Sequence, residues 1–272
     1  MAELHSSFIS KIFLRSHWDI EYRAWQASGD DSRVVEALRR WAARRDLKET
    51  SAEGAFVEVF FRDLWGYLQA GQAGTEKGFT LYPKYPIPGA GEKGGTGEAD
   101  LAVGYFTNDT TPETPQVLCE FKDMRSSLDV EQRRKGNTRS PVRQGLDYLA
   151  HARRGLIGSE PVLPAWSIIS DMNEFRLYWY DRGHQQSLRF VIQPRDLFQG
   201  GGLLAATEEA RFERFLFARV FHRETLLTRG GKPVLLGLIQ QQRFKDRDLE
   251  KQFYEDYKRL RDRLYLMLLH HN

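Results

Sequence analysis

The feature that most constrains this chain is a pair of short apolar, β-rich runs with charged residues set inside them: Ala99-Asp100-Leu101-Ala102-Val103 and Val117-Leu118-Cys119-Glu120-Phe121-Lys122. Both read as strands buried in a sheet. Side chains two apart on a strand share a face, so Glu120 and Lys122 project together while Cys119 and Phe121 point the other way. Burying a carboxylate or an ammonium costs several kcal/mol unless it is paired or binds a metal, and a strand needed only for a core would carry Val or Ile there. The polar connection Asn108 to Pro115 allows the two strands to form a hairpin that brings Asp100 beside Glu120. Two carboxylates and one lysine then converge.

Hard divalent cations prefer such oxygen ligands and keep several waters, which suits Mg²⁺, with Mn²⁺ as a substitute. A neighbouring lysine stabilises developing negative charge or helps orient and deprotonate an attacking water. This is equipment for metal-assisted phosphodiester hydrolysis.

Asp100, followed twenty positions later by Glu120-Phe121-Lys122, resembles the PD-(D/E)XK nuclease signature, with Ala99 standing where the pattern has proline. Gln144-Gly145-Leu146-Asp147-Tyr148 is similar to the Gln-x-x-x-Tyr motif that accompanies the signature in many of these nucleases. The resemblance implies an α/β fold with a restriction-endonuclease-like core, a mixed central sheet flanked by helices, and here extra N- and C-terminal helices. It implies Asp100 and Glu120 as metal ligands, Lys122 as the catalytic lysine, and Gln144 and Tyr148 as groups that position the site. It also points to a glutamate on the first core helix, for which Glu53 is the choice. Thr50-Ser51-Ala52-Glu53 equally reads as a capping box, and both readings of Glu53 stay open.

The rest of the chain divides into a helical extension over 1–50, a nuclease core over 51–200 and a helical connector over 201–272. The extension has apolar positions at helical spacing, among them Phe8, Trp18, Tyr22, Val34, Leu38 and Trp41, with Asp31 or Ser32 as a cap for its second piece. A helix is expected from about Ser51 to Tyr67 with Phe56, Phe60, Leu64 and Tyr67 on one stripe. The glycine-rich run Gly89 to Gly97 lacks P-loop spacing and precedes a strand, so it reads as a hairpin tip. Ser126 to Arg139 reads as a polar, basic loop. Ser140-Pro141 makes a helix start, and Gln144 and Tyr148, four apart, share a face of that helix. Three further strands are expected at Ala165–Ser170, Glu174–Tyr180 and Ser187–Ile192. Their aromatic residues Tyr178, Trp179 and Tyr180 suit a core better than base stacking. After Gly200-Gly-Gly202 come a helix near Thr207 to Phe221, a short apolar segment Val234 to Ile239, and a long helix from about Asp246. In that last helix Phe253, Tyr257, Leu260, Leu264 and Met267 form a heptad seam.

The formal charge of +3 says little about partners, but residues 120–154 hold nine Lys or Arg against five acids. A phosphate backbone would lie there, and Arg133, Arg134, Lys135, Arg139 and Arg143 are the candidate DNA contacts. One cysteine excludes an internal disulfide and a Cys-based zinc site. No apolar run reaches the ~20 residues of a membrane span, and no signal peptide is evident, so a cytoplasmic protein without membrane association is expected.

The sequence therefore points to a Mg²⁺-dependent endonuclease acting on double-stranded DNA. Its layout further resembles the front end of single-chain restriction–modification enzymes of type IIG/IIL. That implies a defence function and a fused or associated adenine methyltransferase with a target-recognition module. The alternatives are a stand-alone repair or recombination nuclease of the same fold, and a catalytically inactive DNA-binding domain.

Overall fold

A computed structural model describes residues 6–44, 49–71, 78–107, 113–132, 138–154, 162–195 and 201–270. The chain divides into two compact units, Met1–Val234 and Leu235–Asn272. The first is a mixed α/β unit built on one six-stranded sheet flanked by helices, with strands in chain order across it. Those strands are β1 Phe79–Ile87, β2 Gly97–Phe106, β3 Val117–Phe121, β4 Trp166–Ser170, β5 Glu174–Trp179 and β6 Ser187–Val191. All neighbours are antiparallel except β3 and β4, which are parallel. A parallel pair needs a crossover, and helix α5, Pro141–Arg154, lies in that connection. Strands β3, β4 and β5 are buried along their whole length, as expected of a sheet covered on both faces.

One face carries an aromatic core. Phe56 sits 5.1 Å from Phe121 and stacks on Phe175 at 5.4 Å, and Phe175 meets Phe217 at 4.9 Å. Phe56 ends α4, Glu49–Phe56, which continues into a π-helical segment, Val57–Leu64. This departs from the uniform helix expected over Ser51 to Tyr67. In the π segment the Trp65 N–H donates to the Phe60 carbonyl, five residues back. The wider turn shifts the phase, so Phe61 and Trp65 join Phe56 and Phe60 in the core while Leu64 is only partly buried.

Three N-terminal helices, α1 Lys11–His17, α2 Asp19–Ser28 and α3 Asp30–Ala42, pack with α6, Glu208–Val220. Tyr22 meets Phe212 edge-on at 5.1 Å, and Arg214 reaches Asp31 at 2.9 Å. The cap of α3 is Gly29, with φ 79°, rather than Asp31 or Ser32, because Asp31 is engaged by Arg214 from within the first turn. α6 is capped by Thr207, whose hydroxyl accepts from the Ala210 N–H. A short helix α7, Arg223–Leu226, follows.

The other face of the sheet is covered by α5. Gly145 permits the approach: a Cβ there would lie 2.9 Å from Ile169 Cδ1 and 3.0 Å from Ser167 Oγ, both on β4. Tyr178 and Trp179 are buried in the sheet, while Tyr180 is exposed and stacked under the Arg153 guanidinium.

The apolar segment at Val234 and the C-terminal helix, expected as two elements, are one 37-residue helix, α8, Val234–His270. Its seam residues Phe253, Tyr257, Leu260, Leu264 and Met267 are all exposed. Among the described residues, no helix is long and apolar enough to cross a membrane.

Candidate active site

The hairpin expected from the sequence forms. Antiparallel β2 and β3 pair Leu101 with Cys119 and Ala102 with Leu118, a register that sets Asp100 across from Glu120. Alternation along β3 sends Phe121 into the aromatic core and Glu120 to the opposite face with Lys122. The Lys122 ammonium lies 2.5 Å from Glu120 Oε1 and also donates to the Phe121 carbonyl at 2.8 Å. Both side chains are almost fully buried, 6% and 2% exposed, which makes this a desolvated ion pair rather than a surface one.

Asp100 is fixed at the end of β3. Its Oδ2 accepts the Phe121 N–H at 2.7 Å, a backbone bond that orients the carboxylate. Its Oδ1 lies 2.8 Å from the Lys84 ammonium, which is also 3.2 Å from the Glu53 carboxylate. Lys84 thus gathers the β2 aspartate and the α4 glutamate on one nitrogen. Partial burial disfavours the charged amine, but the hydrogen bonds and charges of Asp100 and Glu53 outweigh it and hold its pKa above the ordinary lysine value. α4 starts at Glu49, ahead of Thr50, so Thr50 lies inside the helix rather than at its cap, and the Glu53 side chain is engaged by Lys84.

On the covering helix, Ser140 accepts from the Arg143 N–H at the start of α5. One turn on, Gln144 Nε2 donates to the Tyr148 hydroxyl at 3.0 Å. Burial, and then the charge of Glu120, push the Tyr148 phenol above its usual pKa. The Gln144–Tyr148 pair therefore lies within the field of the Glu120 carboxylate. Burial first, then the charges of Asp100 and Glu120, likewise raise the Cys119 thiol well above its ordinary value. It is a neutral core group.

The six candidate residues fall into three pairs: Asp100 with Glu53 through Lys84, Glu120 with Lys122, and Gln144 with Tyr148. Among the described residues, no group of three or more His, Cys, Asp or Glu side chains is gathered so as to hold a metal ion. Of the candidate DNA contacts, Arg133, Arg134 and Lys135 lie outside the described residues. Arg139 is paired with Asp147 at 3.0 Å beside the Tyr148 ring. Arg143 is exposed and lines a cavity of about 870 Å³ beside α5, together with Arg153, Arg154 and Arg182.

Two features escaped the sequence reading. One is Lys84, hidden in a strand between two prolines. The other is a network on β5 and β6 in which buried Arg176 makes two bonds to Asp129, at 2.6 and 2.8 Å, and one to Glu174, which also accepts from Arg189. Glu174-Phe175-Arg176 repeats the acid-x-base spacing of Glu120-Phe121-Lys122. That repetition was the signal that could have revealed it.

Set against known families, curated proteins and solved structures, the chain matches none of them.

Proposed function

We propose that this chain is a PD-(D/E)XK-type, Mg²⁺-dependent DNA endonuclease of a restriction–modification system. The observation that carries the reading is that Asp100 and Glu120 sit across from one another on adjoining strands, each with its own lysine, one of which is buried. A strand under selection for a core alone would not retain a desolvated Glu–Lys pair beside an oriented aspartate.

The donor set fits a hard divalent cation: the oxygens are carboxylates, and those of Glu53 and Asp100 already converge on one cationic nitrogen. Asp100 and Glu53, which share Lys84, and Glu120 across from Asp100 are the residues that would hold the ion, although among the described residues the three are not gathered at one point. When bound, it supplies Lewis-acid polarisation of the phosphoryl oxygens and a more acidic water. The remaining functions belong to the chain. Lys122, fixed by Glu120 and the Phe121 carbonyl, presents positive charge where negative charge develops on the phosphate. Asp100 is held in orientation by the Phe121 N–H, so its position costs no rearrangement on substrate binding. Gln144 and Tyr148 form a hydrogen-bonded pair that positions the Glu120 side of the site. Arg139 and Arg143, with Arg133, Arg134 and Lys135 of the basic loop, would track the phosphate backbone. The reaction is hydrolysis: water adds to phosphorus, the bond to the leaving oxygen breaks, and the water's protons are shared between the leaving group and solvent. In this reading the exposed apolar seam of α8 is where a methyltransferase and target-recognition module attach.

A second reading has one observation in its favour. Lys84 already bridges Glu53 and Asp100, as expected of a DNA-binding domain that has lost catalysis. Nicking of supercoiled plasmid separates the two. The nuclease reading expects Mg²⁺- or Mn²⁺-dependent nicking that Asp100→Ala and Glu120→Ala each abolish. Cleavage unchanged in both variants, or DNA binding with no cleavage in either metal, rejects it.

A further inference from the structure

Lys84 occupies an unusual backbone position. Its neighbours Pro83 and Tyr85 are paired with Leu101 and Ala99 of β2, which places Lys84 across from Asp100 in the middle of an edge strand. There it adopts φ 51°, the left-handed region where a β-carbon crowds the backbone. Glycine or asparagine would occupy this position at lower cost. The flanking prolines lock their own φ angles and donate no N–H to the ladder. The left-handed conformation thus falls on a lysine, whose ammonium is delivered between Glu53 and Asp100. Strain of this kind persists only where the surroundings impose it, and it concentrates at functional sites.

The two lysines of the site differ in access. Lys122 is 6% exposed, bonded to Glu120 and to a backbone carbonyl, and has no path outward without breaking a buried pair. The Lys84 side chain is 47% exposed, so its ammonium can exchange the two carboxylates for water.

We infer that Lys84 is a resident cation: its ammonium holds Glu53 and Asp100 together until a divalent metal displaces it into solvent. The inference rests on the reading of Asp100 as a metal ligand. Two carboxylates drawn to one point would repel if left alone, and the ammonium removes that repulsion while keeping their oxygens gathered. The same contacts must be broken when metal binds, so Lys84 weakens apparent metal affinity and makes it a competition. Lys84 is a positioning residue in this scheme, and its removal should strengthen metal binding.

The test is Mn²⁺ binding to the full chain, followed by titration calorimetry and by the EPR signal of free Mn²⁺, without DNA. Lys84→Met should lower the Kd by about tenfold, the scale set by releasing two ion pairs, and Lys84→Gly, which also relieves the backbone, should do the same. In the absence of metal Lys84→Met should melt below the wild type, and Mg²⁺ should raise the melting temperatures of both variants more than that of the wild type. Asp100→Asn should remove binding in every background. Equal or weaker Mn²⁺ binding by both Lys84 variants, with the wild type still binding, overturns the role of Lys84 and leaves the metal reading standing. No Mn²⁺ binding by wild type or by either variant removes the metal reading and this inference with it.

Discussion

Replacing Lys122 with methionine tests the physical core of the site. Methionine keeps most of the aliphatic stem, so the packing lost is small and the change is chiefly the removal of one positive charge from beside Glu120. An exposed pair would be worth about 0–1 kcal/mol. Here both partners are nearly excluded from solvent and 2.5 Å apart, so the substitution strands a carboxylate in the interior. The expected cost is about 3–5 kcal/mol, equivalent to a fall in melting temperature of roughly 6–20 °C for a unit of this size. Adding Glu120→Gln removes the stranded charge, and the double variant should recover to within about 1–2 kcal/mol of the wild type. Urea unfolding of the four members of the cycle gives the coupling directly, with equal m-values showing that the unfolded states match. A loss below about 1 kcal/mol in Lys122→Met would mean that the pair behaves as solvent-exposed. A double variant no more stable than Lys122→Met would mean that the lysine matters for packing and not for charge. Either result refutes the reasoning. The double variant, folded and lacking the site's acid and amine, should also be inactive in plasmid nicking, which separates stability from function.

Three further outcomes are expected. Phe175→Ala, at the centre of the aromatic core against Phe56, Phe60, Trp65 and Phe217, should cost about 3–5 kcal/mol in urea unfolding, whereas Phe253→Ala, exposed on α8, should stay within about 0.5 kcal/mol. Gly145→Ala should destabilise despite a gain of about 1 kcal/mol in helix propensity, because the new methyl meets Ile169 and Ser167; it should also lower nicking, since Gln144 and Tyr148 ride on the same helix, and a net rise in melting temperature would contradict the close packing. His222 caps α7 through Nδ1, and burial first, then Arg219 and Arg223 against the opposing Glu224, hold its pKa below the ordinary 6.5. The folded state therefore binds its proton more weakly than the unfolded chain, so stability should fall as pH drops below 6.5 toward the folded pKa. His222→Asn, which keeps an acceptor and does not titrate, should flatten that segment of the melting-temperature profile, and an unchanged slope would show that another group is responsible.

Much of the fold was legible because the relevant signals are local. The short, β-rich apolar run Val117–Phe121 and the polar connector before it specify β2 and β3, and Ser140-Pro141 specifies the start of α5. What escaped depends on distance or on backbone geometry with no residue signature. A switch from four-residue to five-residue hydrogen bonding leaves no mark in the hydrophobic pattern of Val57–Leu64, so Leu64 was assigned to a stripe that Phe61 and Trp65 in fact occupy. Gly237 interrupts α8 by propensity, yet the helix runs through it. Lys84 was invisible because strand prolines suggest an irregular edge and say nothing of where the next side chain reaches. The pair at Glu174 and Arg176 marks the limit of motif reading. Its spacing equals that of Glu120 and Lys122, but its carboxylate is shared by two guanidiniums that tie β5 to β6 and to the loop at Asp129.

The wide-turned stretch after Phe56 also sets the aim of Glu53. Each residue of a regular helix advances the side-chain direction by about 100°, so the extra residue absorbed by each loose turn decides which way α4 looks once Phe61 and Trp65 are anchored in the core. Deleting a single residue between Val57 and Leu64 would tighten the coil and, with Trp65 kept in the core, swing Glu53 away from Lys84 by roughly that angle and Phe56 with it. A protein shortened in this way would lose both the packing of Phe56 on Phe121 and Phe175 and the hold of Glu53 on Lys84, so the length of this one segment, more than its composition, links the core to the chemistry.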